Sequence, residues 1–183
     1  MLDLSLHVLD IAENSIRAGA NLISIQLIDE NKNHQRTLVI EDNGKGMNLQ
    51  MLEKVSHPFF TTRTTRRVGL GIALLKQNCE QSGGTLLIES KENQGTKVVA
   101  TMAYDHIDCL PIGDMTRTLL TLMGANPAID WIYHRQQEDS SFELDTRQIK
   151  TILQNVPINH PEILKWLADY IVTQENKLFN TNH

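Results

Sequence analysis

The stretch that decides the fold is Val39–Met47, which reads VIEDNGKGM. A short run of β-forming residues ends there in Asp42, which is followed by Gly44 and Gly46. Glycine allows a sharp turn, and a close approach of the backbone to a flat ligand, where a residue with a Cβ is disfavoured. The same pattern also fits an ordinary turn, so its interpretation depends on the segments before and after it.

Hydrophobic spacing on both sides of this turn predicts an α/β domain. Leu2–Ala18 has the spacing of an amphipathic helix, with Asp3 as its N-cap and Gly19 as its stop. Further helices are predicted over Leu49–Val55 and Gly69–Ser82, and strands over Leu22–Asp29, Arg36–Glu41, Thr85–Ser90 and Thr96–Met102. Four strands with helices on one face make a two-layer α/β sandwich.

The chain changes character after about Tyr104. The later pattern predicts helices over Asp114–Met123, Thr146–Gln154 and Pro161–Gln174, strands over Ala128–His134 and Ser141–Leu144, and a polar tail over Leu178–His183. Asp145 is a candidate N-cap. We therefore predict two domains, residues 1–104 and a small C-terminal α+β module at residues 105–183, which packs on the first domain or binds a protein.

Composition narrows the class of protein. The chain has 183 residues and a formal net charge of -5, which argues against non-specific binding to nucleic acid. Neither a signal peptide nor a membrane span is apparent, so we expect a cytoplasmic protein without membrane contact. Cys79 and Cys109 form no C-x-x-C pattern, so neither a zinc site nor a disulfide framework is indicated.

The first helix carries two polar residues with chemical potential. Asp10 and Asn14 are four residues apart, so they share one face of the helix. The amide oxygen of Asn14 suits Mg²⁺, a hard cation, and Asp10 could position a water or bind the metal through one. The alternative is that both are solvent-facing residues of an amphipathic helix.

Three later segments suit the parts of a nucleotide. An ionised aspartate is only an acceptor, so Asp42 suits the amino group of adenine and disfavours guanine. The glycines of Gly69-Leu70-Gly71 stand at a helix entry, where free N–H groups and the helix dipole favour phosphate. The Thr96 hydroxyl could reach a base directly or through water. Each segment taken alone also fits a plain turn.

In this order the segments resemble the Bergerat-fold ATPases, the superfamily of gyrase, heat-shock chaperones, histidine kinases and MutL. The resemblance covers roughly residues 1–103. Its boxes are the N box at Leu9–Ala20, the first glycine box at Asp42–Met47, the phenylalanine box at Pro58–Arg63, the second glycine box at Gly69–Gly71 with Gly83-Gly84, and the last box at Gly95-Thr96.

The resemblance implies that the ligands are ATP and Mg²⁺. It assigns Mg²⁺ to Asn14, adenine to Asp42 with Thr96 nearby, the walls of the base pocket to Gly44 and Gly46, and the phosphates to Gly69, Leu70 and Gly71. Ser56–Val68 would be a lid that closes on the nucleotide, in which Arg63, Arg66 or Arg67 could reach the γ-phosphate. A solvated loop charge is the alternative for each arginine.

Two departures from the family limit the chemistry. Hydrolytic members carry glutamate at the position of Asp10, and the shorter aspartate argues against robust hydrolysis. Glu13 is a poorer candidate base, because it points about 100° away from Asn14 on the helix. Only eight residues precede Leu9, too few for the phospho-accepting domain of a histidine kinase, and we expect His7 to be structural.

Three functions are therefore considered. The leading hypothesis is a histidine-kinase-like ATPase or protein kinase that acts in trans on a protein partner. The alternative is a non-catalytic ATP sensor, in which closure of the lid changes how a partner is bound. A third is a slow MutL-like ATPase that forms a nucleotide-gated homodimer, although the charge of -5 weakens any version that processes DNA.

Overall fold

The computed structural model describes residues 3–56 and 70–180. Its helices are α1 (Leu4–Arg17), α2 (Leu49–Ser56), α3 (Leu70–Gln81), α4 (Met115–Ala125), α5 (Thr146–Leu153) and α6 (Pro161–Asn180). Its strands are β1 (Leu22–Glu30), β2 (Gln35–Asp42), β3 (Leu86–Lys91), β4 (Gly95–Ala103), β5 (Asp130–Gln137) and β6 (Ser140–Asp145). Apart from the end of α6, these bounds lie within a few residues of the predicted ones.

The described strands form one sheet in the order β3-β4-β2-β1-β5-β6. Neighbouring strands are antiparallel, except that β1 and β5 run parallel. The predicted α/β class is confirmed, but the described residues form a six-stranded sheet, because the two strands beyond residue 104 extend it. The division at residues 104 and 105 stays a prediction, and both parts share one sheet.

One face of the sheet is buried beneath the helices. Side chains alternate along a strand, so Ile23, Ile25 and Leu27 of β1 all point to the same side, where they are almost fully buried. β5 continues this layer, because Trp131 pairs with Ile23 and Tyr133 pairs with Ile25. Apolar side chains of α1, α3, α4 and α6 join the same core. This packing fixes α1, which carries half of the candidate site.

A buried ion-pair network joins the adjacent strands β2, β1 and β5 near the C-terminal end of β1. Asp29 of β1 accepts hydrogen bonds from Arg36 Nε of β2 and Arg135 Nη2 of β5, both at 2.6 Å. Arg135 is 1% exposed and also donates to the Leu27 carbonyl. Burial alone would raise the pKa of Asp29, but the two guanidinium groups hold it below its usual range. The network thereby ties the C-terminal strands to the β1–β2 hairpin.

The helix ends follow their caps and their apolar stripes. α1 begins at Leu4 because Asp3 caps it, accepting the Leu6 N–H at 3.0 Å, as predicted. The prediction of a polar tail from residue 178 was wrong, since α6 continues to Asn180. Leu178 lies two turns after Ile171 and extends the same buried stripe.

In the described ranges no helix, not even α6, is long and apolar enough to cross a membrane.

Candidate functional site

Asp42 ends β2, and its side chain lies on the buried face of the sheet. Ser15 of α1 donates a hydrogen bond from Oγ to Asp42 Oδ2 at 2.6 Å. The Gly44 N–H donates to Asp42 Oδ1 at 2.8 Å. Each carboxylate oxygen is therefore held by one donor, and each keeps a lone pair for a ligand.

The turn after Asp42 is too tightly packed for side chains. Gly46 has a φ of +62°, and a Cβ there would lie 2.0 Å from the Lys91 carbonyl oxygen. A Cβ on Gly44 would lie 3.0 Å from the Ala18 Cβ. The turn is thus confined between the end of α1 and the β3–β4 turn. This confinement fixes the direction of the carboxylate.

Thr96 lies beside Asp42, because the two residues pair across β4 and β2. The Thr96 hydroxyl lies 2.9 Å from Ser90 Oγ, which accepts the Met47 N–H at 2.8 Å. Asp42, Thr96 and Ser90 therefore form a row of polar side chains on three adjacent strands. Ser90 Oγ donates to the Gly95 carbonyl at 3.0 Å, so the groups of this row that remain for a base are the Asp42 carboxylate and the Thr96 hydroxyl.

A groove of about 380 Å³ at this end of the sheet is lined by Asp42, Ser90 and Thr96 together with residues of the opposite face of the sheet. Its walls include Glu41, Glu89 and Lys97, which by strand alternation face away from the helices. Glu41 and Lys97 form an ion pair at 3.7 Å there. The Asp42 side chain faces the helical side of the sheet, and the predicted lid, Ser56–Val68, lies outside the described residues except for Ser56 at the end of α2.

Asp10 and Asn14 lie one turn apart on α1, and both are partly buried. Burial raises the pKa of Asp10, the nearby Glu13 adds to this shift, and Arg17 opposes it. Asn14 Oδ1 accepts a hydrogen bond from Arg17 Nη1 at 3.0 Å. Arg17 Nη2 also lies 2.7 Å from Glu13 Oε2. This side of α1 therefore presents oxygen groups that already contact one cationic side chain.

The side-chain oxygens of Asp10 and Asn14 fit a magnesium ion that is shared with a nucleotide. Mg²⁺ prefers oxygen ligands, keeps several waters and is commonly held by one or two protein oxygens together with substrate phosphates. Asn14 offers a neutral amide oxygen and Asp10 a carboxylate on the same side of α1. In the part of the chain that the structure describes, no group of three or more His, Cys, Asp or Glu side chains could hold a metal. Phosphate oxygens would have to complete the coordination.

The N-terminus of α3 lies against Asp10. α3 begins at Leu70, and a Cβ on Gly71 would lie 1.8 Å from Asp10 Oδ2. A side chain there would displace the carboxylate. A helix N-terminus supplies free N–H groups and partial positive charge, which suit phosphate. The other predicted phosphate contacts, Gly69, Arg63, Arg66 and Arg67, lie outside the described residues.

His7 is enclosed between α1 and α3. It is fully buried, and Asn78 Nδ2 lies 3.1 Å from His7 Nε2. Burial lowers the pKa of His7, and the Gly71 backbone opposes this shift. The imidazole is therefore neutral at physiological pH and closed off from solvent. This burial agrees with the structural role expected for it.

Sequence reasoning missed Ser15 and Arg17, although both left a signal. Ser15 follows Val8 and Ile11 on the apolar stripe of α1, so its hydroxyl points toward the sheet and Asp42. Arg17 follows Asn14 by three residues and Glu13 by four, the spacings at which helical side chains meet. The predicted residues Asp10 and Asn14 are brought to one end of the site, and Asp42, Gly44, Gly46 and Thr96 to the other.

Comparison with known proteins gives a family profile, curated relatives and solved structures that are similar to this chain. The profile of the histidine kinase-, DNA gyrase B- and HSP90-like ATPases matches residues 2–106, which include every candidate site residue. Sporulation kinase D of Bacillus subtilis (strain 168) is 29% identical over 99 residues, or 52% of this chain and 19% of that protein. Sensor histidine kinase ZraS of Escherichia coli (strain K12) is 37% identical over 57 residues, or 31% of this chain and 12% of that protein.

The chain spans less than a fifth of the length of these two kinases. A crystal structure of the N-terminal domain of a DNA repair protein aligns with a TM-score of 0.52 and 19% identity, over 79% of this chain and 52% of that one. That likeness shows the fold alone. The profile, in contrast, covers more than half of the chain, and the expected resemblance is confirmed. The chain belongs to the family of histidine kinase-, DNA gyrase B- and HSP90-like ATPases.

Proposed function

We propose that this chain binds Mg·ATP and uses it to act on a protein partner, as a kinase or an ATPase. The observation that carries the proposal is the buried Asp42 carboxylate, which accepts hydrogen bonds from the Ser15 hydroxyl and the Gly44 N–H. A charged group that is fixed in this way accepts a ligand hydrogen bond without first having to reorganise. Membership of an ATPase family supports adenine as the group that donates this bond.

Asp42 would accept a hydrogen bond from the amino group of adenine. Gly44 and Gly46 would let the base approach the backbone, and Thr96 would face a ring nitrogen directly or through water. Guanine carries a carbonyl where adenine carries the amino group, so it would meet the Asp42 carboxylate with a second acceptor. Selectivity for adenine over guanine follows from this mismatch.

At the other end, the N-terminal turn of α3 would receive phosphate oxygens, with backbone contacts at Leu70 and Gly71 and at the neighbouring Gly69. Asn14 would hold the magnesium ion, with Asp10 bound to it through water. The ion, when bound, neutralises phosphate charge as the γ-phosphoryl group is transferred. Asp10 would orient the acceptor or a water, and its raised pKa makes it a stronger base than an ordinary aspartate.

The phosphate acceptor would be a group on another protein. His7, the histidine on the same helix as Asp10, is fully buried and in contact with Asn78, which argues against a role as acceptor. The relatives named above are called kinases, which favours transfer of phosphate over simple release. Transfer in trans therefore remains the leading form of the proposal.

The proposal is tested with γ-labelled ATP and Mg²⁺, with and without lysate of the source cells. Kinase function predicts label on a discrete protein, and loss of that label in Asp42→Asn and Asn14→Ala. Release of labelled phosphate without transfer indicates an ATPase. Absence of nucleotide binding in a folded protein would overturn the proposal.

A second candidate is a sensor that binds ATP without turnover. The observation in its favour is the contact of Asp10 with α3, since the carboxylate lies directly against Gly71. Aspartate is shorter than glutamate, and an aspartate in contact with the backbone of α3 is poorly placed to activate a water. Tight ATP binding with neither transfer nor phosphate release would support this function over the first.

A further inference from the structure

We propose that Arg17 competes with the magnesium ion for the side-chain oxygen of Asn14, so that the nucleotide-free protein keeps its metal ligand occupied by a guanidinium group. This inference rests on the proposed binding of Mg·ATP. It adds a regulatory element to that site, because the concentration of divalent cation then sets when Asn14 becomes free.

The geometry places one cation among the oxygens that another cation would need. Arg17 Nη1 donates to Asn14 Oδ1 at 3.0 Å, and Arg17 Nη2 contacts Glu13 Oε2 at 2.7 Å. The guanidinium therefore bridges two consecutive residues one turn back on α1. A planar guanidinium forms such a two-point contact, which an ammonium group does not reproduce.

The surrounding charges favour a cation at this place. Asp10 and Glu13 repel each other, and Arg17 reduces the effect of this repulsion on Asp10. Among the described residues, two carboxylates, one amide oxygen and the Arg17 guanidinium therefore lie together on this side of α1. A divalent ion that arrives with phosphate ligands brings more charge and binds the same oxygen. Asn14 Oδ1 has two lone pairs, but a guanidinium and a divalent cation on the same oxygen repel each other, so metal binding disfavours the Arg17 contact.

The competition between Arg17 and the metal ion for Asn14 is expected to be weak, so it should change the required metal concentration only moderately. The Arg17 side chain is 59% exposed and that of Glu13 is 46% exposed. Exposed pairs of this kind contribute little to stability, so removal of Arg17 should lower the required metal concentration only about two- to five-fold. A shift of this size moves the response to metal without abolishing binding.

The test uses Mn²⁺ and a non-hydrolysable ATP analogue, with nucleotide affinity measured by calorimetry across a Mn²⁺ series. In Arg17→Gln, the Mn²⁺ concentration that gives half of the maximal effect should fall by about two- to five-fold. Arg147→Gln is the matched control, because Arg147 also forms an ion pair on a helix, at 2.7 Å to Asp145, and its side chain is 51% exposed. No shift is expected there.

A double-mutant cycle separates competition from a general effect of charge. In an Asn14→Ala background the shared oxygen is gone, so Arg17→Gln should cause no further shift. In an Asn14→Asp background the carboxylate holds the guanidinium more tightly, so the shift should grow. The second background keeps the test informative where Asn14→Ala prevents metal binding altogether.

Three results would overturn the competition. They are an unchanged Mn²⁺ requirement in Arg17→Gln, an increased requirement, or an equal shift in all Asn14 backgrounds. The proposed function has a separate readout in the same experiment, which is binding of the analogue by the unmutated protein at saturating Mn²⁺. Absence of that binding removes the function, whereas binding without an Arg17 effect removes only the competition.

Discussion

The two ends of the candidate site are built in different ways. At the base end, Asp42 is 9% exposed, and a hydroxyl and a backbone N–H hold its two oxygens. At the metal end, Asn14 is held by Arg17, whose side chain is 59% exposed. One end rests on buried contacts between α1 and the sheet, and the other on contacts between neighbouring side chains of α1.

Under the proposed function, this difference separates the part of the site that would bind the base from the part that would bind the metal and the phosphates. At the base end, hydrogen bonds from Ser15 and the Gly44 N–H orient the Asp42 carboxylate. Under the proposed function, the groups of the metal end would exchange Arg17 for the metal ion when the nucleotide binds. Substitutions at the base end should therefore affect stability and base affinity together, whereas those at the metal end should affect the response to metal and pH.

The largest effect is expected from Gly46→Ala. Its Cβ would lie 2.0 Å from the Lys91 carbonyl oxygen at a φ of +62°, so the backbone must move. We expect a loss of about 3 kcal/mol or more in the free energy of unfolding, measured by urea denaturation. Gly19→Ala is the control, because Gly19 has a φ of +77° with nothing within 4 Å of its Cβ position.

The control should lose only about 1 kcal/mol, the penalty for a left-handed alanine. The difference between the two variants measures how tightly the turn after Asp42 is packed. Equal losses would mean that this packing contributes nothing, and the base end would then be no more rigid than an exposed turn.

A smaller effect is expected from Ser15→Ala. The variant removes the donor at 2.6 Å from Asp42 Oδ2, so the carboxylate is less well oriented for a base. We expect nucleotide affinity to fall by about 1 kcal/mol, or roughly five-fold, by calorimetry. Ser5→Ala is matched, since Ser5 Oγ donates to Asp3 Oδ1 at 2.7 Å on the same helix. An equal loss of affinity in both variants would refute a specific role for Ser15.

The smallest effect is expected from Asp10→Asn. Burial raises the pKa of Asp10, so the folded protein binds the proton more tightly than the unfolded chain does. The stability that this proton provides is present below the unfolded pKa and is lost as pH rises through the raised folded pKa. Asp10→Asn should therefore be more stable than the unmutated protein at pH 7, by less than about 1 kcal/mol, because Asp10 is partly exposed.

At about pH 3 the advantage of Asp10→Asn should vanish, because the aspartate is then neutral as well. Asp29→Asn provides the control of opposite sign, because Arg36 and Arg135 hold the pKa of Asp29 below its usual range. It should lose stability at pH 7. The free energy of unfolding of both variants and of the unmutated protein is measured by urea denaturation at pH 7 and at about pH 3. An Asp10→Asn variant that is less stable than the unmutated protein at pH 7 would show that the charged carboxylate of Asp10 is stabilised by its surroundings.

Local features of this fold were predictable from the sequence. The alternation in Leu22–Asp29, the polar segment after it and the β-forming run over Arg36–Glu41 predicted the β1–β2 hairpin, because these signals lie within a few residues of one another. The helix positions of Asp10 and Asn14 followed from the 3.6-residue period. The position of Asp42 at the end of a strand followed from the β-forming run before it, whereas its role as an acceptor for adenine stays a prediction.

Long-range features were not predictable. The parallel pairing of β5 with β1 joins Trp131 to Ile23, and the alternation within β5 gives no information about its partner strand. Arg135 was missed for the same reason, since its ion pair with Asp29 exists only through that pairing. The contact of Gly71 with Asp10 depends on the packing of α3 against α1, which the spacing within either helix does not specify.

The most direct measurement is the affinity of Asp42→Asn for ATP and GTP, by calorimetry at saturating Mg²⁺. We predict that the unmutated protein prefers ATP to GTP. The variant should remain folded, as judged by its thermal transition, and should lose about 1.5–3 kcal/mol of ATP affinity. Most of the preference over GTP should disappear with it. An unchanged ATP affinity in a folded Asp42→Asn protein would contradict the assignment of Asp42 as the group that recognises adenine.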